Sequence, residues 1–122
     1  EIYKAIEDLP IVNIPLIPDY IEHAFYKCYI LLNKDHIKTN WSRDKIIQAI
    51  NDKGLPCFSG SCPEIYLEKT FKKNFNIPRL PIAKEVGEES LMFLVHPTIT
   101  KKELLNYKKN IREVLKLASK NL

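Results

Sequence analysis

The residues best suited to chemistry are concentrated in the stretch 56–66, PCFSGSCPEIY. Two thiols, two serine hydroxyls, a glycine turn, a carboxylate and two aromatic rings fall within these eleven residues. Ser59-Gly60-Ser61 reads as a tight loop of small residues. Ser61 or Cys62 then reads as the N-cap of a helix running to about Lys73, with Pro63 in its first turn and Glu64 three residues after Ser61. The free N–H groups of such a terminus favour an anion, phosphate or carboxylate. A thiol at the same place, Cys62, would have its pKa lowered. The same pattern also describes a helix entry with ordinary caps, and a cysteine serving only as a small buried or capping residue.

Elsewhere, chemical groups are sparse. The three cysteines, Cys28, Cys57 and Cys62, are an odd number without a secretory signal, which points to reduced thiols and a cytoplasmic setting. Cys57 and Cys62 have the spacing of a loose metal pair, but no second Cys/His pair completes it, so no metal is expected. His23, His36 and His96 are far apart in sequence, and no local pattern gives a cysteine its histidine base. His96, just before Pro97, suits a hydrogen bond to a loop. His23 and Tyr26 open a strand, where they face a cleft or simply pack. With only Gly54, Gly60 and Gly87, the chain has no phosphate-cradling glycine pattern and no nucleophile elbow. Net charge is +4, yet 16 of the 19 basic residues are lysines scattered along the chain. That reads as a solvated surface, with no nucleic-acid partner expected. No apolar run reaches eighteen residues, so no membrane partner is expected either.

These groups need elements to hold them, and the strongest signals lie in 90–117. Residues 91–95 form an apolar run fit for a strand buried on both faces. Pro97 ends it. Thr100 and Glu103 form a capping box, with Ile99 and Leu104 at staple positions. Leu104, Tyr107, Lys108, Ile111, Val114, Leu115 and Ala118 follow the helical period. Upstream, 1–8 reads as the tail of a helix whose beginning is missing. The segment 10–18 reads as an extended, proline-punctuated connection pinned by Ile11, Ile14 and Leu16. A strand is expected over 23–32, with Ala24, Tyr26, Cys28, Ile30 and Leu32 on one face. Ser42 caps a helix ending at Lys53, with Gly54 after it. A short edge strand follows over 55–58, limited by Pro56. Residues 74–81 read as a loop, and 81–86 as one helical turn. The expected fold is α/β, an α+β type sandwich with a small mixed or antiparallel sheet covered by helices.

Taken in order, HAFYKCYILLN, SRDKIIQAINDKGLPCFSGSCPEIY, RLPIAKEVGEESLMFLVHPTIT and the closing amphipathic helix resemble the C-terminal part of the DegT/DnrJ/EryC1/StrS aminotransferases. The resemblance implies the small domain of a fold-type I, pyridoxal-phosphate-dependent sugar aminotransferase. On this reading 1–10 is the tail of a truncated helix and 11–122 is the small domain. The full-length enzyme would move an amino group, commonly from glutamate, to a nucleotide-linked keto-sugar for polysaccharide or lipopolysaccharide biosynthesis. It would be a homodimer that holds its pyridoxal phosphate in a missing N-terminal domain. The fragment alone would bind no cofactor and be inactive. Positions matching the family's substrate loop are Phe58, Ser59, Ser61 and Tyr66, with His23 and Tyr26 at the start of the strand. No catalytic or cofactor-binding residue is assigned within this chain. The alternative is a stand-alone α/β module that binds a small ligand or a protein.

Overall fold

The computed structural model describes residues 1–73 and 77–120. Two contacts fix its centre. The strand β2, Lys27–Leu32, runs antiparallel to β4, Ser90–Leu94, with Cys28 opposite Phe93 and Ile30 opposite Leu91. β1, Val12–Asn13, pairs with the far end of β2, and β3, Cys57–Phe58, pairs with the other side of β4. The sheet order is β1-β2-β4-β3, antiparallel throughout. The sheet is therefore the antiparallel one of the two forms expected.

Alternation along the strands divides the side chains between two faces. Cys28, Ile30, Leu32, Leu91, Phe93 and Cys57 point into one hydrophobic core. Three helices close it: α1 (Ile2–Ile6), α2 (Arg43–Asp52) and α5 (Lys101–Ala118). They contribute Ile2, Ile6, Ile46, Ile50, Ile111, Val114, Leu115 and Ala118, all buried. Each fully buried large aliphatic or phenylalanine side chain contributes ~1.5–3 kcal/mol of transfer free energy, so this face dominates stability.

The cap signals act where the sequence places them. The Thr100 hydroxyl accepts from the Glu103 N–H, and the Glu103 carboxylate accepts from the Thr100 N–H at 2.7 Å. Ser42 accepts from the Lys45 N–H, and Gly54 follows α2 with φ +76°. α1 is fastened to α5 by Arg112, which forms a two-pronged pair with Asp8 and donates to the Ala5 carbonyl. Lys108, the polar residue on the apolar stripe of α5, reaches Glu1 at 2.9 Å.

Four expectations need correction. The strand begins at Lys27, not at residue 23, because Phe25 adopts φ +46° and its N–H is taken by His23 Nδ1 at 2.9 Å. Residues 23–26 therefore stand outside the ladder, and Tyr26, 81% exposed, does not share the strand face of Cys28, Ile30 and Leu32. Leu16 does not pin the 10–18 segment, since it is 91% exposed. Ile11 is buried there, and Val12–Asn13 form an unexpected strand. The helix expected over 61–73 is a single 3₁₀ turn, Ile65–Leu67, followed by the four-residue α3, Lys69–Lys72, with no side-chain cap on either. Conversely, the turn expected over 81–86 is a full helix, α4, Pro81–Glu89. Of the loop expected over 74–81, residues 74–76 lie outside the described residues.

Candidate functional site on the outer face of the sheet

The second face of the sheet carries Tyr29, Met92 and Phe58 in one cross-strand row. Leu31 and Ser90 form the next row. Tyr29, on the middle of β2, supports the 59–61 loop. Its ring lies so close to Gly60 that an added Cβ would sit 2.8 Å from Cε1, and Gly60 has φ +98°, a conformation open to glycine. Its hydroxyl meets Ser61 Oγ at 3.2 Å. The Ser90 hydroxyl, buried at the start of β4, donates to the Ser59 carbonyl. Below the loop, the Asn51 side chain mimics a neighbouring strand. Its amide donates to the Cys57 carbonyl at 3.0 Å and its oxygen accepts from the Cys57 N–H at 2.9 Å. A two-residue edge strand thereby gains two side-chain hydrogen bonds.

Beyond the loop, Glu64 and Arg79 form a two-pronged ion pair, Nε to Oε1 at 2.8 Å and Nη2 to Oε2 at 2.7 Å. The Tyr66 hydroxyl donates to Glu64 Oε1 at 2.8 Å and accepts from the Leu80 N–H at 2.9 Å. The Arg79 guanidinium, hydrogen-bonded to Glu64, pulls that carboxyl down to about 2. Pro63 packs on Gly87 of α4, whose carbonyl accepts from Arg43 Nη1 at 2.7 Å. Stretch 59–66 is thus tied to β2, β4 and α4.

This geometry revises the anion reading of the loop. Ser61 turns to Tyr29 instead of capping a helix, and the carboxylate of Glu64 lies at the beginning of the 3₁₀ turn. Cys62 is not activated either. Cys62 is exposed, and loss of some hydration together with the neighbouring Glu68 carboxylate, which accepts from its Sγ at 3.4 Å, raises its pKa. Burial also raises Cys28, and pushes Cys57 up to about 12. Among the described residues no three His, Cys, Asp or Glu side chains converge as a metal site.

The six residues singled out from the sequence fall into two groups. Phe58, Ser59, Ser61 and Tyr66 belong to the outer-face loop, with Phe58 46% exposed. Tyr26 instead lines an open depression of about 610 Å³ between the N-terminal ends of α1 and α5, with Tyr3, Phe25, Cys28, His96 and Leu104. His23 lies outside that lining and packs against Phe25 with the two rings tilted by 53° and their centroids 4.4 Å apart. Lys27 Nζ lies 5.6 Å from the centre of the Tyr26 ring, a cation–π contact that resolves its place on a mostly apolar strand. His96 is tied to Thr98 Oγ1 at 2.6 Å, a side chain rather than a carbonyl. The sequence reading missed Tyr29, Ser90, Asn51 and Arg79. Only the alternation of β2 and β4 could have pointed to Tyr29 and Ser90.

No protein-family model matches the chain, and no curated protein matches it by sequence. Solved structures do. An aminotransferase from Psychrobacter cryohalolentis is 40% identical over 96% of this chain and 31% of its own, with a TM-score of 0.85. This chain has the fold of an aminotransferase segment. At 40% identity the likeness to that enzyme extends to sequence as well. A DegT DnrJ EryC1 StrS aminotransferase from Brucella abortus matches at TM-score 0.72 and 18% identity, over 92% of this chain and 28% of its own. The E. coli GDP-4-keto-6-deoxy-D-mannose-3-dehydratase, solved with bound hydrated PLP, matches at TM-score 0.72 and 17% identity, over 93% and 28%. The structural neighbours thus include the family that the sequence resembles. The chain spans about a third of the length of the solved proteins it matches.

Proposed function

We propose that this chain is the C-terminal small domain of a pyridoxal-phosphate-dependent sugar aminotransferase, acting on a nucleotide-linked keto-sugar with glutamate as the amino donor. The observation that carries the proposal is the 40% identity to an aminotransferase along nearly the whole chain, on a segment that is 31% of that enzyme. Bound pyridoxal phosphate supplies an electron sink for charge developing at the amino-bearing carbon. The residues here do not fit its covalent anchor. Such a lysine needs a desolvated pocket, and none of the 16 lysines is buried. We therefore assign that lysine to the remainder of the polypeptide, and expect the fragment alone to be inactive.

On this reading the chain's part is to shape the substrate pocket. Phe58 presents an exposed ring, Ser59 and Ser61 offer hydroxyls on a loop fixed to the sheet, and Tyr66 closes it. The strap of 16–26 exposes Leu16, Tyr20, Ile21, Phe25 and Tyr26, more apolar surface than so short a segment would leave in water without a covering neighbour. We assign that cover to the rest of the same polypeptide in a homodimer. The test uses the full-length protein loaded with cofactor. Amino transfer from glutamate to one of a panel of UDP-, dTDP- and GDP-linked 4-keto-6-deoxyhexoses is expected, with Ser59→Ala raising the sugar KM. No transfer to any of them, with no cofactor absorbance in the visible range, would overturn the proposal. An unchanged KM would take Ser59 out of the site.

A further inference from the structure

Tyr66 and Glu64 have a role that their exposure alone would not suggest. The structure assigns them as positioning residues that clasp the substrate-facing loop to α4, rather than as groups that touch the substrate; this rests on the aminotransferase reading above. The Tyr66 hydroxyl has one hydrogen to donate, and it goes to Glu64. It also accepts from the Leu80 N–H, immediately before the first turn of α4. Glu64 uses both oxygens on the fork of Arg79, and Oε1 serves Tyr66 as well. This is the charge-assisted, two-pronged geometry that holds orientation best.

The clasp works against a second fixed point. Pro63 seats on Gly87, where a Cβ would come within 2.2 Å of Cγ, so α4 grips the second half of the loop at both Pro63 and Tyr66. Arg43 holds the Gly87 carbonyl and connects the assembly to α2. On the sheet side, Gly60 on Tyr29 and Ser90 on the Ser59 carbonyl fix the start of the same loop. The loop is therefore bound at its start by the sheet and at its end by the clasp. Opening the clasp should loosen the 64–66 end of the loop, and so blur the placement of the sheet-held 59–61 end, without altering any group that handles the amino donor.

A double-mutant cycle in the full-length, cofactor-loaded protein tests this. Glu64→Gln, Tyr66→Phe and the double variant are compared for the glutamate half-reaction, read by the change in cofactor absorbance, and for KM and kcat with the best sugar of the panel. Each single change is expected to raise the sugar KM about tenfold, as for loss of one charge-assisted hydrogen bond. The double variant should be little worse than either single one, and the glutamate half-reaction should stay within about twofold of wild type. Additive effects, or a Tyr66→Phe defect with Glu64→Gln neutral, would show that Tyr66 meets the substrate itself and overturn the assignment. Hydrogen exchange of 59–67 and of Leu80 is measured in the same proteins. Faster exchange in both single variants is expected, and unchanged exchange would sink the clasp even if no sugar in the panel turns over. Absence of amino transfer and cofactor in the wild type would instead count against the aminotransferase reading, leaving the exchange result to judge the clasp.

Discussion

Gly60 and Gly87 show how single residues set the outer-face loop. Alanine at Gly60 would place a Cβ 2.8 Å from the Tyr29 ring on a backbone with φ +98°. Strain of this kind costs ~1–3 kcal/mol, so Gly60→Ala should lower the urea midpoint by a corresponding amount. Gly87 tests two opposed effects. It lies inside α4, where alanine would ordinarily gain ~1 kcal/mol of helix propensity. Its new Cβ would, however, lie 2.2 Å from the Pro63 ring, a rigid partner that cannot swing aside. Overpacking costs ~1–3 kcal/mol, so Gly87→Ala should destabilise despite the better helix former. Acid provides a further check. Arg112 holds Asp8 at about 2, and Arg79 holds Glu64 at about 2, both below their unfolded values. Their contributions are present above about pH 4 and fade as the pH falls towards 2. Asp8→Asn and Glu64→Gln proteins should accordingly lose less stability between pH 5 and pH 2 than wild type in acid titrations followed by circular dichroism.

Among the elements, those with local signals were legible and those with distant causes were not. Thr100→Ala removes one side of a complete capping box, and should cost about 1 kcal/mol in thermal or urea unfolding. That box could be read directly, because donor and acceptor lie three residues apart. The same logic placed Ser42 and Gly54 around α2. It failed at Ser61, which has the right residue type for a cap, because Ser61 is claimed by Tyr29, 32 positions earlier. The strand of 27–32 and its buried Cys28, Ile30 and Leu32 followed from alternation. Its late start did not, because nothing in HAFY announces the left-handed turn at Phe25. β3 was expected as an edge strand, but its partner Asn51 on α2 was invisible to any short-range pattern. Asn51→Ala should leave the Cys57 backbone groups unpaired, destabilising by ~1–3 kcal/mol and speeding exchange of the Cys57 amide. Slow exchange in that variant would remove Asn51 from the support of the site.

On the scale of the whole molecule, one face of the sheet is closed by helices while the strap of 16–26 and the residues around α4 expose large apolar side chains, Tyr20 and Ile82 among them. An aminotransferase segment amounting to about a third of its relatives' length would present such a surface to the rest of its polypeptide. The isolated 122-residue chain is therefore expected to self-associate in analytical ultracentrifugation, and a stable monomer at high concentration would favour an independent module. The most direct measurement is made on the full-length protein: reduction with borohydride in the presence of pyridoxal phosphate, followed by peptide mapping of the trapped lysine. One modified lysine, outside residues 1–122, is the expected result. A cofactor trapped on a lysine of this chain, or no trapped cofactor at all, would contradict it.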